Sequence, residues 1–164
     1  KKLLDLIKFF EREKNFVCVN PIIKNQNNHI QYSAKKDPTF LSLLIGFFPF
    51  FLKLSFLKRY DQNHKNKNFN YLKDIIPASY LSGCFLLIKS YTFKEVNGFS
   101  EAFFLHLEDA DFVRKCSRYG LTAHIPISEI QHLWNRGSHK SLFQIIHVIR
   151  SMFVYFFKWG FKFF

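Results

Sequence analysis

The sequence predicts an α/β domain, and three observations carry that prediction. An amphipathic helix over residues 2–14 runs into a short apolar strand, FVCV at 16–19. A second apolar strand over 80–88 precedes a helix that begins near Glu108, and two more short strands follow between 121 and 133. Helical and strand periods therefore alternate along one chain, as in a mixed sheet flanked by helices. At 164 residues the chain makes one core and is short for two.

The elements follow in order. Leu3, Leu6, Ile7 and Phe10 recur at helical spacing with charged residues between them, so residues 2–14 bury one face. The strand at 16–19 should end at Asn20-Pro21, because proline has no N–H for a ladder. HIQYSA (29–34) reads as a strand after the polar turn KNQNN. Asp37-Pro38 reads as a helix start, with Asp as the cap and Pro in the first turn. The stretch TFLSLLIGFFPFFLKLSFLKRY (39–60) is apolar nearly all round and close to spanning length, but Gly46, Pro49 and Lys53 interrupt it. A helix in a membrane interface, a buried core helix and a span all remain open readings of it. DQNHKNKNFN (61–70) reads as a polar surface loop or disordered insert. Thr92 to Asn97 forms a short helix that Gly98 stops. LTAHI and EIQHL are strands separated by a turn at Pro126. Residues 142–164 form a second aromatic and basic helix, in which His147, Arg150 and Lys158 argue against a span. The expected organisation is a domain over 1–141 followed by this amphipathic, membrane-associated helix over 142–164.

Net charge is +12, and one residue in five is aromatic, with 23 phenylalanines. Such a chain favours anionic partners: nucleic acid, acidic lipid or phosphorylated small molecules. The phenylalanines cluster in apolar runs instead of alternating with basic residues along one face, so no nucleic-acid partner is expected. Cys18, Cys84 and Cys116 are far apart and unpaired in sequence, which implies reduced thiols in a cytosolic setting and no zinc site. The single methionine is Met152, so sequence upstream of Lys1 is expected.

The candidate chemistry lies in FFLHLEDADFVRKCSRYG (103–120), where Glu108, Asp109 and Asp111 open a helix. Asp109 shares a face with Phe112, Val113 and Cys116, so it is the acid aligned with the inward stripe. Asp111 falls on another face near Arg114, Lys115 and Arg118, as a solvated ion-pairing acid. Spaced i, i+2, the two aspartates would not chelate one metal together. Burial raises the Asp109 pKa and the helix dipole lowers it, which suits a general base. A plain helix-start role suits the same position.

The run SGCFLLIKSYTFKEVNGFSEAFFLHLEDADFVRKCSRYGLTAHIPISEIQHLWNRGSHKS (82–141) resembles the C-terminal half of a family 2 glycosyltransferase of the rhamnosyltransferase-like type. In that family an SGxxxLI strand leads to NGF or GGF, then to an aromatic run ending in ED, then to D…R…G on a helix and a strand ending in His. The helix–strand–NP opening and YSAKKDPTFLSLL also resemble the preceding portion, so the resemblance covers most of the chain outside residues 60–75 and the last helix. It implies a GT-A-like, three-layer mixed sheet that is incomplete here, because the nucleotide-binding strands and the DxD motif of the family's first half have no counterpart. The D-x-D letters within EDAD are not that motif, since they sit on a helix where the family has its base.

The resemblance further implies that Asp109 deprotonates an acceptor hydroxyl while Glu108 helps position the acceptor. Ser82 and Gly83 would lie beside the sugar, Arg136 and His139 would meet diphosphate charge, and His132 would sit near a divalent metal, Mg²⁺ or Mn²⁺, expected only with the DxD half. The implied reaction is inverting transfer of a sugar, rhamnose for the type resembled, from a nucleoside-diphosphate donor to a glycan or lipid-linked acceptor. This chain by itself is expected to be inactive, and its place is peripheral, on the cytoplasmic face of a membrane. The rival reading is a non-enzymatic basic and aromatic module that binds acidic lipid surfaces.

Overall fold

The computed structural model describes residues 3–133 and 142–164. Its centre is a mixed sheet in which two long strands, β1 (Phe16–Lys24) and β6 (Leu121–Gln131), run parallel. Two short antiparallel strands flank them, β3 (Ile76–Pro77) on β6 and β5 (Leu87–Ile88) on β1, giving the order β3-β6-β1-β5. A separate pair joins β2 (Ala34–Lys35) to β4 (Tyr80–Leu81). The chain is thus mixed α/β, with helices on both faces of the sheet.

Two irregularities in the β1–β6 ladder decide which side chains go where. Phe16 pairs with Leu121 but Cys18 with Thr122, so an extra residue is inserted in β1. Val17 and Cys18 consequently share one apolar cluster, while Phe16 and Val19 join the other. The first cluster packs against α5 (Glu108–Cys116) through Phe112, Val113 and Cys116. The second packs against α1 (Leu3–Arg12) through Leu6 and Phe10, with Ala123 and Ile125 from β6. Burying a side chain such as Phe112, which has no exposed surface, stabilises the fold by about 2–3 kcal/mol.

The second irregularity corrects the expected strand end at Asn20-Pro21. Asn20 pairs with His124 and Ile22 with Glu129, so β1 continues through Pro21 to Lys24 while β6 bulges past Pro126. Proline is tolerated because it falls where the ladder is already broken. The same bulge makes 121–131 one strand instead of two separated by a turn. Gly120, before β6, packs so closely that a Cβ there would lie 2.6 Å from Val17 Cγ1 and 2.7 Å from the Asn15 carbonyl. Helix α5 itself ends earlier, at Cys116.

Other expectations also change. The 29–34 strand reduces to a bridge between Ile30 and Lys24 followed by β2. The 80–88 strand divides into β4 and β5, which belong to different sheets, because the chain turns at Gly83. The apolar stretch after Asp37 becomes α2 (Phe40–Phe47), a 3₁₀ turn (Pro49–Lys53) and α3 (Ser55–His64). The cap of α2 is Thr39, whose hydroxyl accepts from Ser42 N–H while Ser42 Oγ accepts from Thr39 N–H. Asp37 is left to pair with Lys162 at 3.0 Å and Arg114 at 3.4 Å. Between β5 and α5 lies the short helix α4 (Ser90–Glu95), after which Asn97 and Gly98 both take positive φ.

The 61–70 segment is ordered. Asp61, His64 and Asn66 are buried, Lys65 and Lys67 both grip Asp61, and the Tyr71 hydroxyl donates toward the carbonyls of Ala34 and Lys65. His64 Nε2 donates to the Asp37 carbonyl at 3.2 Å. Burial, reinforced by the charge of Lys35, pushes the imidazole pKa down to about 4. Unfolding returns that ring to about 6.5, so the unfolded chain binds more protons between those values and stability falls as pH drops through that window. Urea unfolding from pH 7 to pH 4 should show this slope, worth roughly 3 kcal/mol. His64→Gln should flatten it.

Candidate active site around Asp109

The loop before α5 delivers its acids under constraint. His106 and Leu107 both have positive φ, 64° and 66°, a backbone conformation costly for side-chain-bearing residues. Leu107 is nonetheless buried, in a cluster with Phe103, Ala110, Tyr155 and Phe156. That packing holds the turn, and the turn sets Glu108 and Asp109 in the first turn of the helix.

Asp109 is half-buried and held at both oxygens. Oδ2 accepts the Gly83 N–H at 2.9 Å, and Oδ1 accepts the Ala110 N–H at 2.9 Å. The backbone at Gly83 approaches this carboxylate closely: a Cβ on residue 83 would lie 2.9 Å from Asp109 Cβ. Each oxygen keeps a lone pair for a third group. Glu108 stands beside it, half-buried, with Oε2 buried and unpartnered. Burial first, and then the Asp109 charge, raise the Glu108 pKa. Ser82 donates its N–H to the Ser33 carbonyl, and Cys84 beyond Gly83 has its thiol pKa raised by burial.

Two residues of this site were not picked out from the sequence. Tyr80, opposite Lys35 in the β2–β4 pair, lies against Asp109, and burial followed by the charges of Asp109 and Glu108 pushes its phenol pKa well up. Lys35 places Nζ 4.5 Å from the Tyr80 ring centroid. Burial lowers its pKa and the Asp109 charge opposes that. The one hint in the sequence was position: Tyr80 is three residues before Gly83, and Lys35 lies in YSAKKDP.

Asp111 overturns its assignment as a solvated acid. It has no exposed surface; Lys158 Nζ lies 2.7 Å from Oδ1, and Trp159 Nε1 donates to the same oxygen at 2.7 Å. The last helix, α6 (Leu142–Trp159), docks on this side of α5, with Arg114 and Arg118 over the Trp159 ring. Residues 47 and 48 positions away thus bury a face that local periodicity assigned to solvent.

His132 follows β6, half-buried, with Nδ1 3.1 Å from Gln31 Oε1, and among the described residues shares no hydrogen-bond partner with Asp109. Arg136 and His139 lie outside the described residues. Among the described residues no three His, Cys, Asp or Glu side chains converge as a metal site. His132, engaged by Gln31, does not make one alone. A surface hollow of about 720 Å³ lies along α3, lined by Arg59, Tyr60, Asn63 and Lys67 among others, and contains none of the acids.

The outer face of α6 is apolar. Phe143, Ile146, Ile149, Phe153 and Phe157 are exposed at helical spacing, Phe157 at 96%, while Val148, Ser151 and Tyr155 face inward. Phe48, Phe50, Leu54 and Phe56 around the 3₁₀ turn are exposed as well. No helix among the described residues is long and apolar enough to cross a membrane.

The Gly83 contact is testable. Gly83→Ala should lower stability by about 1–3 kcal/mol through overpacking against Asp109. Thermal melting of the variant beside a Ser82→Ala control would measure it, the control being expected to melt within a degree or two of the parent.

No protein-family model matches the chain. It is 25% identical over 120 residues, 70% of its length, to proteins of two Mycobacterium tuberculosis strains, CDC 1551 / Oshkosh and ATCC 25618 / H37Rv, each described as an N-acetylglucosaminyl-diphospho-decaprenol L-rhamnosyltransferase. The aligned part spans 36% of those relatives' length, so the chain corresponds to about a third of each. The similarity is distant and supports a relationship to glycosyltransferases.

Proposed function

We propose that this chain is the acceptor-side portion of an inverting glycosyltransferase of GT-A type, with Asp109 as general base. The observation that carries this reading is the Asp109 carboxylate, reachable from solvent yet fixed by the N–H groups of Gly83 and Ala110. A base so held is already aligned when the acceptor hydroxyl arrives. In the proposed step the hydroxyl oxygen bonds to the anomeric carbon of the donor sugar and its proton passes to Asp109. The bond from that carbon to the diphosphate oxygen breaks, and the nucleoside diphosphate leaves with the electron pair. Glu108, with an unpartnered buried oxygen and a raised pKa, suits hydrogen bonding to a second acceptor hydroxyl. A divalent cation, Mg²⁺ or Mn²⁺, would enter with a donor-side portion and neutralise the leaving group there. The described residues do not assemble its site, and no step here runs through it.

Rhamnose as the sugar and a lipid-linked acceptor belong to the same proposal, prompted by the names of the distant relatives. In a protein that contains this chain and a donor-binding portion, Asp109→Asn should lower kcat by at least about 10²-fold with KM for the acceptor little changed. Full activity in that variant would remove Asp109 from the chemistry and sink the reading.

The exposed aromatic stripe of α6 favours placement on a membrane surface, within reach of the proposed lipid-linked acceptor, and the cytoplasmic face belongs to the same proposal. With a net charge of +12, the chain should float with vesicles containing phosphatidylglycerol, and Phe153→Asp with Phe157→Asp should abolish flotation. If the doubly substituted chain floated as before, α6 would not be the membrane contact. Vesicle binding that persists in a protein indifferent to Asp109→Asn would favour the non-enzymatic lipid-binding module.

A further inference from the structure

We infer that Lys35, set over Tyr80 beside Asp109, is an anion-binding residue that receives a phosphoryl group of the substrate bound at that carboxylate. This deepens the glycosyl-transfer reading and rests on it.

The placement argues for a ligand. Lys35 and Tyr80 are direct cross-strand partners, so the two side chains emerge together from the small β2–β4 sheet. The ammonium stands 4.5 Å from the ring centroid, and the aromatic face fixes a cation without neutralising it. Among the described residues no carboxylate lies within ion-pair distance of Lys35 Nζ, although acids elsewhere are matched closely: Asp61 by Lys65 and Lys67, Asp37 by Arg114 and Lys162, Asp111 by Lys158. Its neighbour Lys36 behaves differently and bonds Asn63 Oδ1 on the exposed side.

Burying part of an ammonium beside an aromatic ring is costly unless something compensates it. The lowered Lys35 pKa reports that cost, with burial as the first cause. Asp109 supplies a charge nearby but does not come within ion-pair distance of Nζ, so it only partly offsets that cost. A dianionic phosphoryl group would, while the neighbouring hydroxyl of the same molecule faced Asp109. Lys35 then selects for a sugar that carries phosphate, and Asp109 acts on that sugar's free hydroxyl.

The phosphate has two conceivable sources, an acceptor sugar bearing it on its anomeric oxygen or a nucleoside diphosphate. Calorimetric titration of the full chain with N-acetylglucosamine 1-phosphate, with uncharged N-acetylglucosamine and with uridine diphosphate separates them. Lys35→Met should weaken the sugar phosphate about tenfold or more while leaving the uncharged sugar unchanged, and Lys35→Arg should restore part of the loss. A loss confined to uridine diphosphate would assign the same residue to a donor phosphate.

The inference is overturned if the unsubstituted chain binds neither phosphate-bearing probe, if Lys35→Met changes neither, or if it weakens the uncharged sugar equally. Far-ultraviolet circular dichroism and melting of Lys35→Met guard against misfolding, and Lys36→Met serves as the surface control with unchanged binding. The readout is binding alone. If Asp109→Asn leaves transfer by the larger protein intact, the catalytic reading fails while the Lys35 result stands on its own.

Discussion

The parallel ladder between β1 and β6 is the constraint on which the remaining structure depends. Parallel neighbours must be joined by a long crossover, and here about a hundred residues separate the two strands. Everything that forms the site lies in that excursion: β2 and β4, the Gly83 turn, and the strained loop into α5. The bulge at Val17–Cys18 then turns two consecutive apolar side chains toward α5, so the helix carrying Asp109 is anchored on the most deeply buried part of the sheet.

A second layer of dependence runs through α5. Its sheet-facing side is apolar, its opposite side holds Asp111 within reach of Lys158 and Trp159, and its N-terminus is clamped by Gly83. The helix is therefore fixed on three sides before any ligand arrives. The positive φ values at His106 and Leu107 are tolerated because Leu107 is buried against Tyr155 and Phe156 of α6. The acid site and the exposed aromatic stripe of α6 are thus two faces of one packed unit.

The tail after α6 completes that unit. Gly160, at φ 85°, turns the chain so that the carbonyls of Lys162 and Phe163 accept the first amide donors of α2, while Phe161 and Phe163 flank Phe40. Those N–H groups would otherwise be unpaired at a helix start. An apolar stretch that reads as a candidate span in isolation is in fact broken at Pro49 and tied down at its N-terminus by the end of the chain.

The sequence by itself determined the local elements whose signals are local. These are the amphipathic α1 with Leu6 and Phe10 inward, the helix opening at Glu108, and the amphipathic α6. The short helix expected over Thr92 to Asn97 instead forms two residues earlier and turns at Asn97 before Gly98. The sequence also singled out Asp109, by its place on the inward face of the helix that opens at Glu108. Only the tertiary structure decided the rest. β1 runs through Pro21 because a bulge in its distant partner absorbs the missing donor. Asp111 is buried because α6, almost fifty residues on, covers the side that periodicity gave to solvent. Lys35 and Tyr80 meet Asp109 because two-residue strands pair across 45 positions, far beyond any local pattern. Periodicity records which side of an element is apolar. It does not record which element will come to cover the other side, and the charged groups of this site are placed by that choice.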